Sequence, residues 1–98
     1  MLLEIDKGLA EGDVVTLKLT SGEEIVARLD KETDTHYRLT KPMVIAMGPN
    51  GPGLLPYLFT VSPDKTIGLS KGTVTVAVTS DKQFATQYMQ STTNIQMV

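Results

Sequence analysis

The stretch VVTLKLTSGEEIVARLD, which spans Val14–Asp30, contains the clearest structural pattern in the chain. Apolar and polar residues alternate on both sides of Ser21-Gly22. The apolar positions are Val15, Leu17, Leu19, Ile25, Ala27 and Leu29. A period of two places such side chains on one face of a strand, and a glycine accepts the positive φ of a tight turn. The stretch therefore predicts a β-hairpin with one apolar face.

The rest of the chain is also rich in residues that favour strands. Val, Ile and Thr account for 27 of the 98 residues, and β-branched side chains fit extended backbone better than helix. Further strands are predicted over His36–Met47, Leu54–Val61, Thr66–Leu69 and Thr73–Thr79, with loops at Asp30–Thr35, Gly48–Gly53 and Ser62–Lys65. Pro42 lacks the N–H that a central ladder needs, so its strand should contain a bulge, a bend or a free edge.

The alternating faces define a predicted core. It combines the six hairpin positions above with apolar residues of the later strands, namely Leu39, Val74, Val76 and Val78. The segment Leu54–Val61 is apolar on both faces, which in a small domain favours a contact between subunits.

The sequence after the last predicted strand changes to a helical pattern. Ser80 is the expected N-cap, and Gln83 follows three residues later, which is the arrangement of a capping box. Phe84 and Tyr88 are four residues apart and begin one apolar stripe. A helix is therefore predicted over about residues 81–91, with this stripe covering the sheet.

Length and composition favour a single domain over residues 1–98, with a tail, residues 92–98, that is frayed or forms a short extra strand. The chain has no cysteine and one histidine, His36, so thiol chemistry and a His-rich metal site are excluded and no cofactor is predicted. No serine stands in a nucleophile context, and an enzyme is not expected. The net charge of −2 argues against a protein that coats nucleic acid through charge alone. No apolar stretch approaches the ~20 residues of a membrane span, and residues 1–6 lack a signal-peptide pattern, so a cytoplasmic location is expected.

The hairpin resembles the first motif of the Sm/LSm family. That motif has a turn glycine, a small residue five positions later and a leucine two further on, and the matching residues are Gly22, Ala27 and Leu29, with Ala in place of the usual Gly. An Asp then precedes Asn-Leu by four and five positions, and the matching residues are Asp34, Arg38 and Leu39, with Arg in place of Asn. Lys71-Gly72, before an apolar strand, is similar to the second motif, an Arg-Gly or Lys-Gly turn between the last two strands.

The resemblance covers about residues 13–79 and implies a mainly β fold. The implied fold is a small, five-stranded, strongly bent antiparallel barrel of the Sm-like or SH3-like type, followed by the helix at 81–91. A long insertion at residues 48–55 and a helix after the barrel distinguish the chain from eukaryotic members. Small Sm-like proteins encoded by bacteriophages, including those of marine cyanobacteria, are similar in length and layout, so the host cytoplasm is expected for a phage-encoded chain.

The resemblance also implies a ring that binds single-stranded RNA or DNA, with RNA favoured, as a non-catalytic chaperone or processing accessory. The residues at the implied contact positions are His36, Tyr37, Arg38, Lys71 and Gly72. Imidazole and guanidinium planes stack on bases, and Arg and Lys hold phosphates; Tyr37 is the stacking residue if the loop register differs by one. Each of these residues also has an ordinary interpretation as a solvent-facing or turn residue. The alternative function, which the acidic net charge favours, is a structural or adaptor module that binds protein, for example in a phage particle.

Assembly is predicted from two uncharged segments. Thr73–Thr79 is expected to be the last strand, with an unpaired edge that carries neither charge nor proline, and Leu54–Val61 is apolar on both faces. Pairing these different edges between neighbours gives a head-to-tail contact, which closes into a ring or continues as a fibre. The predicted interface residues are Leu54, Leu58, Val74 and Val76. The resemblance implies a cyclic homo-oligomer of about five to seven subunits.

Overall fold

The computed structural model describes residues 8–93; the N-terminal segment before them and the tail beyond Thr93 lie outside the described residues. The chain forms one antiparallel sheet and a C-terminal helix. The strands are β1 (Val14–Leu19), β2 (Glu24–Glu32), β3 (His36–Gly48), β4 (Gly51–Pro56), β5 (Ile67–Ser70) and β6 (Val74–Thr79). A 3₁₀ turn, Lys71–Thr73, joins the last two strands, and helix α1 spans Lys82–Thr93. The predicted mainly β architecture with a C-terminal helix is confirmed.

β1 and β2 form the predicted hairpin. Leu17 pairs with Ile25, so the alternating apolar residues of both strands share one face. At the turn Gly22 has a φ of 110°, a left-handed value that glycine adopts without steric cost. Its N–H donates to Leu19 O at 2.9 Å. The hairpin is therefore confirmed, although β2 continues to Glu32 through residues that the sequence predicts as a loop.

The strand order is β4-β3-β2-β1-β6, and β5 also pairs with β3. β5 lies against His36–Leu39 and β4 lies against Met43–Gly48, so these short strands follow one another along the same edge of β3. The sheet thus has six strands in the part of the chain that the structure describes, the number that the sequence pattern predicts and one more than the five-stranded barrel that the resemblance implies. The predicted strand Leu54–Val61 is wrong in its bounds, because β4 ends at Pro56 and residues 57–66 form a loop.

The edge strand is divided because β3 bends at Lys41-Pro42. Against β2 the register shifts by one residue between Thr40 and Met43, which is a β-bulge. Lys41 has a φ of 51°, and its N–H donates to Pro63 O in the loop after β4 at 3.1 Å. The interruption predicted at Pro42 is confirmed as a bulge.

The inner face of the sheet carries the main core, called the inner core below. Its buried residues are Val15, Leu17, Leu19, Ile25, Ala27, Leu29 and Leu39. All seven are predicted core positions. Val74 is half-buried against them, so this position also agrees with the predicted face.

Two predicted core residues of β6 lie on the other face. Val76 and Val78 are 48% and 49% exposed, so their prediction as core is wrong. Lys18 pairs with Val76 and Leu19 pairs with Val74, so Thr75 is an extra residue on β6 without a partner on β1. This bulge turns the following residues over, because a shift of one residue exchanges the two faces of a strand. Ala77 therefore packs against the inner core in their place.

The helix begins at Lys82, one residue later than predicted. Asp81 thus occupies the N-cap position, where Asp is as favourable as Ser, and its carbonyl accepts from Ala85 N–H at 2.8 Å. The prediction of Ser80 as the cap is wrong. Its hydroxyl lies 2.7 Å from the hydroxyl of Thr16 on β1, which attaches the end of β6 to the sheet.

α1 covers the outer face of the sheet, as its apolar stripe predicts. The buried residues of this outer layer are Val14, Val26, Met43 and Tyr88, with Phe84, Ala85 and Met89 packed alongside. The Tyr88 side chain is fully buried, and its hydroxyl donates to Lys41 O at 2.5 Å. The helix is therefore attached to the carbonyl that the bend of β3 releases from the ladder.

Leu29→Ala should lower the free energy of unfolding by about 2–5 kcal/mol, because it leaves a cavity in the inner core. The control Val78→Ala, at a half-exposed position, should cost about 1 kcal/mol or less. Chemical denaturation followed by circular dichroism measures both losses. Equal losses in the two variants would contradict the assignment of faces.

Tyr88→Phe should lower the free energy of unfolding by about 1–2 kcal/mol, because it removes the hydrogen bond to the Lys41 carbonyl. Burial raises the pKa of Tyr88 above its ordinary value of 10.0. The stabilisation by the neutral phenol is therefore present below the unfolded-state pKa and is lost as the pH rises above it.

The pH dependence separates this effect from a general loss of packing. Wild type should lose stability steeply in alkaline solution, and Tyr88→Phe should lose less over the same range. Tyr57→Phe is the matched control, because the Tyr57 hydroxyl has no hydrogen bond within residues 8–93. Identical alkaline denaturation curves for wild type and Tyr88→Phe would show that the buried phenol is not responsible.

Candidate nucleic-acid interface

The end of β2 contains a third bulge, at Asp30. Leu29 pairs with Leu39 of β3, whereas Lys31 pairs with Arg38, so Asp30 has no partner residue of its own. The extra residue exchanges the faces on which the remaining side chains of β2 lie. Lys31 therefore lies on the outer face of the sheet, directly opposite Arg38.

His36 and Arg38 project from the outer face of β3, where both are exposed. Their partners on β5 are Ser70 and Gly68. A Cβ atom on Gly68 would lie 3.5 Å from His36 Cδ2 and 4.0 Å from Arg38 Nη1. The Nδ1 atom of His36 lies 2.8 Å from Thr35 Oγ1. Two of the predicted contact residues thus lie together, as exposed planar groups around a position without a side chain.

Tyr37 and Lys71 form a separate group on the inner side of β3. Tyr37 is half-buried and packs against the inner core. Lys71 Nζ lies 5.1 Å from the centroid of the Tyr37 ring, within the range of a cation–π contact, and donates to Glu32 Oε2 at 2.6 Å. Glu32 is the cross-strand partner of Tyr37. The Lys71 ammonium is therefore directed towards this cluster and away from the pair formed by His36 and Arg38.

The charge of Lys71 is balanced within this cluster. The hydrogen bond to the Glu32 carboxylate raises the pKa of Lys71 above its ordinary value of 10.5, because the acceptor stabilises the protonated amine. A phosphate that binds Lys71 would therefore have to displace Glu32 or share the ammonium with it.

Gly72 lies in the 3₁₀ turn between β5 and β6. Its N–H donates to Ser70 Oγ at 3.2 Å, and the Lys71 N–H donates to Thr35 O at 2.9 Å. The first bond lies within the turn, and the second attaches the backbone of the turn to Thr35, which immediately precedes β3 and His36. The φ of Gly72 is not positive, so the shape of the turn does not require glycine.

The four predicted interface residues differ in exposure. Leu58 and Val76 are 37% and 48% exposed. Leu54 is half-buried in the outer layer, and Val74 is half-buried against the inner core. Phe59, next to Leu58 in the loop after β4, is 79% exposed. The exposed apolar surface therefore includes this loop and the outer face of β6, together with Met47 on β3 and Leu55 on β4, which are 77% and 50% exposed.

Lys31 and Glu32 were not among the residues that the sequence singled out. The polar run Asp30–Thr35 predicts a loop, whereas its first residues continue β2. The bulge that directs these two side chains to opposite faces has no marker such as a glycine or a proline. Uninterrupted alternation past Leu29 would instead predict Lys31 on the inner face and Glu32 on the outer face.

Residues 8–93 contain no group of three or more His, Cys, Asp or Glu side chains placed to hold a metal ion. Across the same range, no helix is both long enough and apolar enough to cross a membrane. No protein-family model matches the sequence, and no curated protein matches it either. Functional inference for this chain therefore depends on its own residues and their geometry.

Glu32→Gln should lower the pKa of Lys71 towards 10.5, because a neutral amide stabilises the ammonium less than a carboxylate does. In wild type the raised pKa means that the pair stabilises the fold below pH 10.5 and that this contribution is lost as the pH rises through the folded-state pKa. Titration of the Lys71 side-chain resonances by NMR measures the change. Glu24→Gln, in the same strand, is the control and should leave the Lys71 titration unaltered; an unaltered titration in Glu32→Gln would refute the ion pair.

Proposed function

We propose that this chain is a non-catalytic, Sm-like, ring-forming protein that binds single-stranded nucleic acid, specifically RNA, as a chaperone or processing accessory. The observation that carries the proposal is the exposed pair formed by His36 and Arg38 around Gly68. Planar imidazole and guanidinium groups stack on unpaired bases, and the guanidinium also holds phosphate oxygens. Single-stranded RNA offers both partners.

The 3₁₀ turn supports a second contact at the same end of the sheet. Its backbone is attached to the start of β3 through the bond from Lys71 to Thr35. The Lys71 side chain is paired with Glu32, and an RNA phosphate is a competing anion for the same ammonium. Lys71 and Gly72 therefore belong to the proposed interface as its inner rim, with Tyr37 beneath them.

The finer architecture of the proposal is a strongly bent barrel. Support comes from the two edges of the sheet, which both supply residues to the inner core. Ile67 and Leu69 of β5 pack against the same buried cluster as Val74 and Ala77 of β6. A sheet whose opposite edges share one core must curve strongly, and its three bulges are the devices that add curvature to strands.

The proposed ring closes through the outer edge of β6. This strand pairs only with β1 within the described chain, and Val74–Thr79 contains neither a charged residue nor a proline. Such an edge is a template for pairing with another strand. Val76 on β6 and Leu58 near the opposite edge supply apolar contacts, and head-to-tail pairing of unlike edges gives a cyclic homo-oligomer of about five to seven subunits.

His36→Ala and Arg38→Ala should each weaken RNA binding, with His36→Ala costing about 1–3 kcal/mol if a base stacks on the imidazole. Neither should lower the melting temperature, because both side chains are exposed. Fluorescence anisotropy with labelled U-rich, A-rich and mixed oligonucleotides at two salt concentrations measures the affinities. Lys82→Ala, at the start of α1, is the control and should bind as wild type does. Wild-type affinity in the His36→Ala, Arg38→Ala double variant would remove both residues from the interface.

Sedimentation velocity at micromolar concentration should show a single oligomer of about five to seven subunits. Thr75→Pro should break or weaken it, because proline removes an N–H from β6. Thr75 lies in the bulge, so circular dichroism must show that the variant keeps its sheet; Val76→Asp, which places a charge on the exposed face of β6, is a second variant with the same expected effect. A wild-type monomer would refute the ring.

A structural or adaptor role is the second candidate, favoured by a specific feature. An apolar cavity of about 210 Å³ lies between the bend of β3 and the loop after β4. Its lining includes Pro42, Met43, Leu58, Phe59 and Ile67. Exposed apolar surface of this kind suits a protein contact. Absence of binding to all three oligonucleotides at low salt would eliminate the RNA proposal and leave this one.

A further inference from the structure

We infer that Lys31 and Arg38 together form a phosphate-binding site on the outer face of the sheet, and that Lys31 is a nucleic-acid contact in its own right. The site is defined by the cross-strand pairing of these two residues. The identification of its ligand as a nucleic-acid strand rests on the proposed function. The inference that these two cations hold one anionic group does not depend on the proposed function.

The pairing of Lys31 with Arg38 places two positive charges opposite one another on neighbouring strands. Like charges directly opposite one another on neighbouring strands destabilise a sheet. The ion pairs within residues 8–93 are Lys41–Asp64 and Lys71–Glu32, so neither Lys31 nor Arg38 is neutralised by a carboxylate. An anion placed between them would remove the repulsion.

Two carboxylates, those of Asp30 and Glu32, flank Lys31 in the sequence. Asp30 lines a shallow cleft with Arg28 and Thr40, and Glu32 is engaged by Lys71. Of these three consecutive charged residues, Lys31 is the one that pairs with Arg38 across the sheet.

The side of the site formed by β5 is open to a ligand. Gly68, the partner of Arg38 on β5, has no side chain, and Ser70, the partner of His36, has a small one. Both are exposed. A phosphate can therefore approach the guanidinium along the surface of β5, where Arg offers two parallel N–H donors and Lys offers a mobile point charge.

The site adds the sequence-independent part of binding to the stacking surface beside it. A phosphate held between Lys31 and Arg38 places the attached nucleoside within reach of the His36 ring on the same face of β3. Lys31 should therefore contribute equally to U-rich and A-rich strands, as phosphate contacts do. His36, which takes no part in the phosphate contact, is free to contribute the base-dependent part.

The first test is a salt titration of oligonucleotide binding with wild type, Lys31→Ala and the charge-matched control Lys82→Ala. Lys31→Ala should weaken binding several-fold at low salt and make the slope of log K against log salt shallower by about 0.7, the loss of one single-strand phosphate contact. The loss should be the same for U-rich and A-rich strands, and Lys31→Arg should restore the wild-type slope. The melting temperature of Lys31→Ala should not fall, because the substitution relieves a repulsion. An unchanged slope in Lys31→Ala, with wild type still binding RNA, would overturn the phosphate site and leave the proposed function in place.

The second test needs no nucleic acid and separates the two sources of phosphate. Tripolyphosphate is titrated into ¹⁵N-labelled protein, and the amide resonances of Lys31, Arg38 and Gly68 should shift together in wild type and much less in Lys31→Ala. Such shifts without RNA binding would support the anion site and refute the proposed function, because the ligand would then be a small polyphosphate. Absence of shifts at these residues would overturn the site whether or not RNA binds.

Discussion

The ladder between β2 and β3 contains one residue more on β2 than on β3, and that residue is Asp30. Because side chains alternate along a strand, one extra residue exchanges the faces of everything that follows. Lys31 is thereby placed beside Arg38 on the outer face, and Glu32 is placed beside Tyr37 and Lys71 on the inner side. The proposed interface depends on this exchange, since it produces an exposed cationic pair and an internally neutralised lysine from neighbouring residues.

Two other β-bulges, at Lys41-Pro42 and at Thr75, determine which apolar residues lie on each face of the sheet. The bulge at Lys41-Pro42 changes the face of β3, so Leu39 belongs to the inner core and Met43 to the outer layer. It also divides the edge strand into β4 and β5 and leaves the Lys41 carbonyl for Tyr88. The bulge at Thr75 directs Val76 outward, where it is available for contacts with a neighbour. The described residues thus form two apolar layers on the two faces of a single sheet, in which β6 pairs with β1 alone.

Local patterns predicted the fold wherever a strand ran without interruption. The hairpin, the seven buried residues of the inner core, the bulge at Pro42 and the helix all follow from alternation, turn chemistry and helical spacing. The patterns failed at the two bulges that no proline or glycine marks, where Val76, Val78, Lys31 and Glu32 are the residues affected. They also failed at β4, which begins within the predicted loop Gly48–Gly53 and ends at Pro56. The exposure of His36 and Arg38 also follows from alternation with Tyr37, whereas the ion pair between Lys71 and Glu32 joins residues 39 positions apart and depends on the pairing of β5 with β3. Such long-range pairing is set by tertiary contacts, which no local pattern reports.

Cross-strand nuclear Overhauser effects between β2 and β3 measure the register at Asp30, on which the proposed interface depends. In uniformly labelled protein, we expect backbone contacts from Lys31 to Arg38 and from Glu32 to Tyr37, together with side-chain contacts between Glu32 and Lys71. Contacts from Asp30 to Arg38 and from Lys31 to Tyr37 would instead show a continuous ladder. That result would place Lys31 on the inner side of the sheet and would contradict both the phosphate site and the assignment of Lys71 to Glu32.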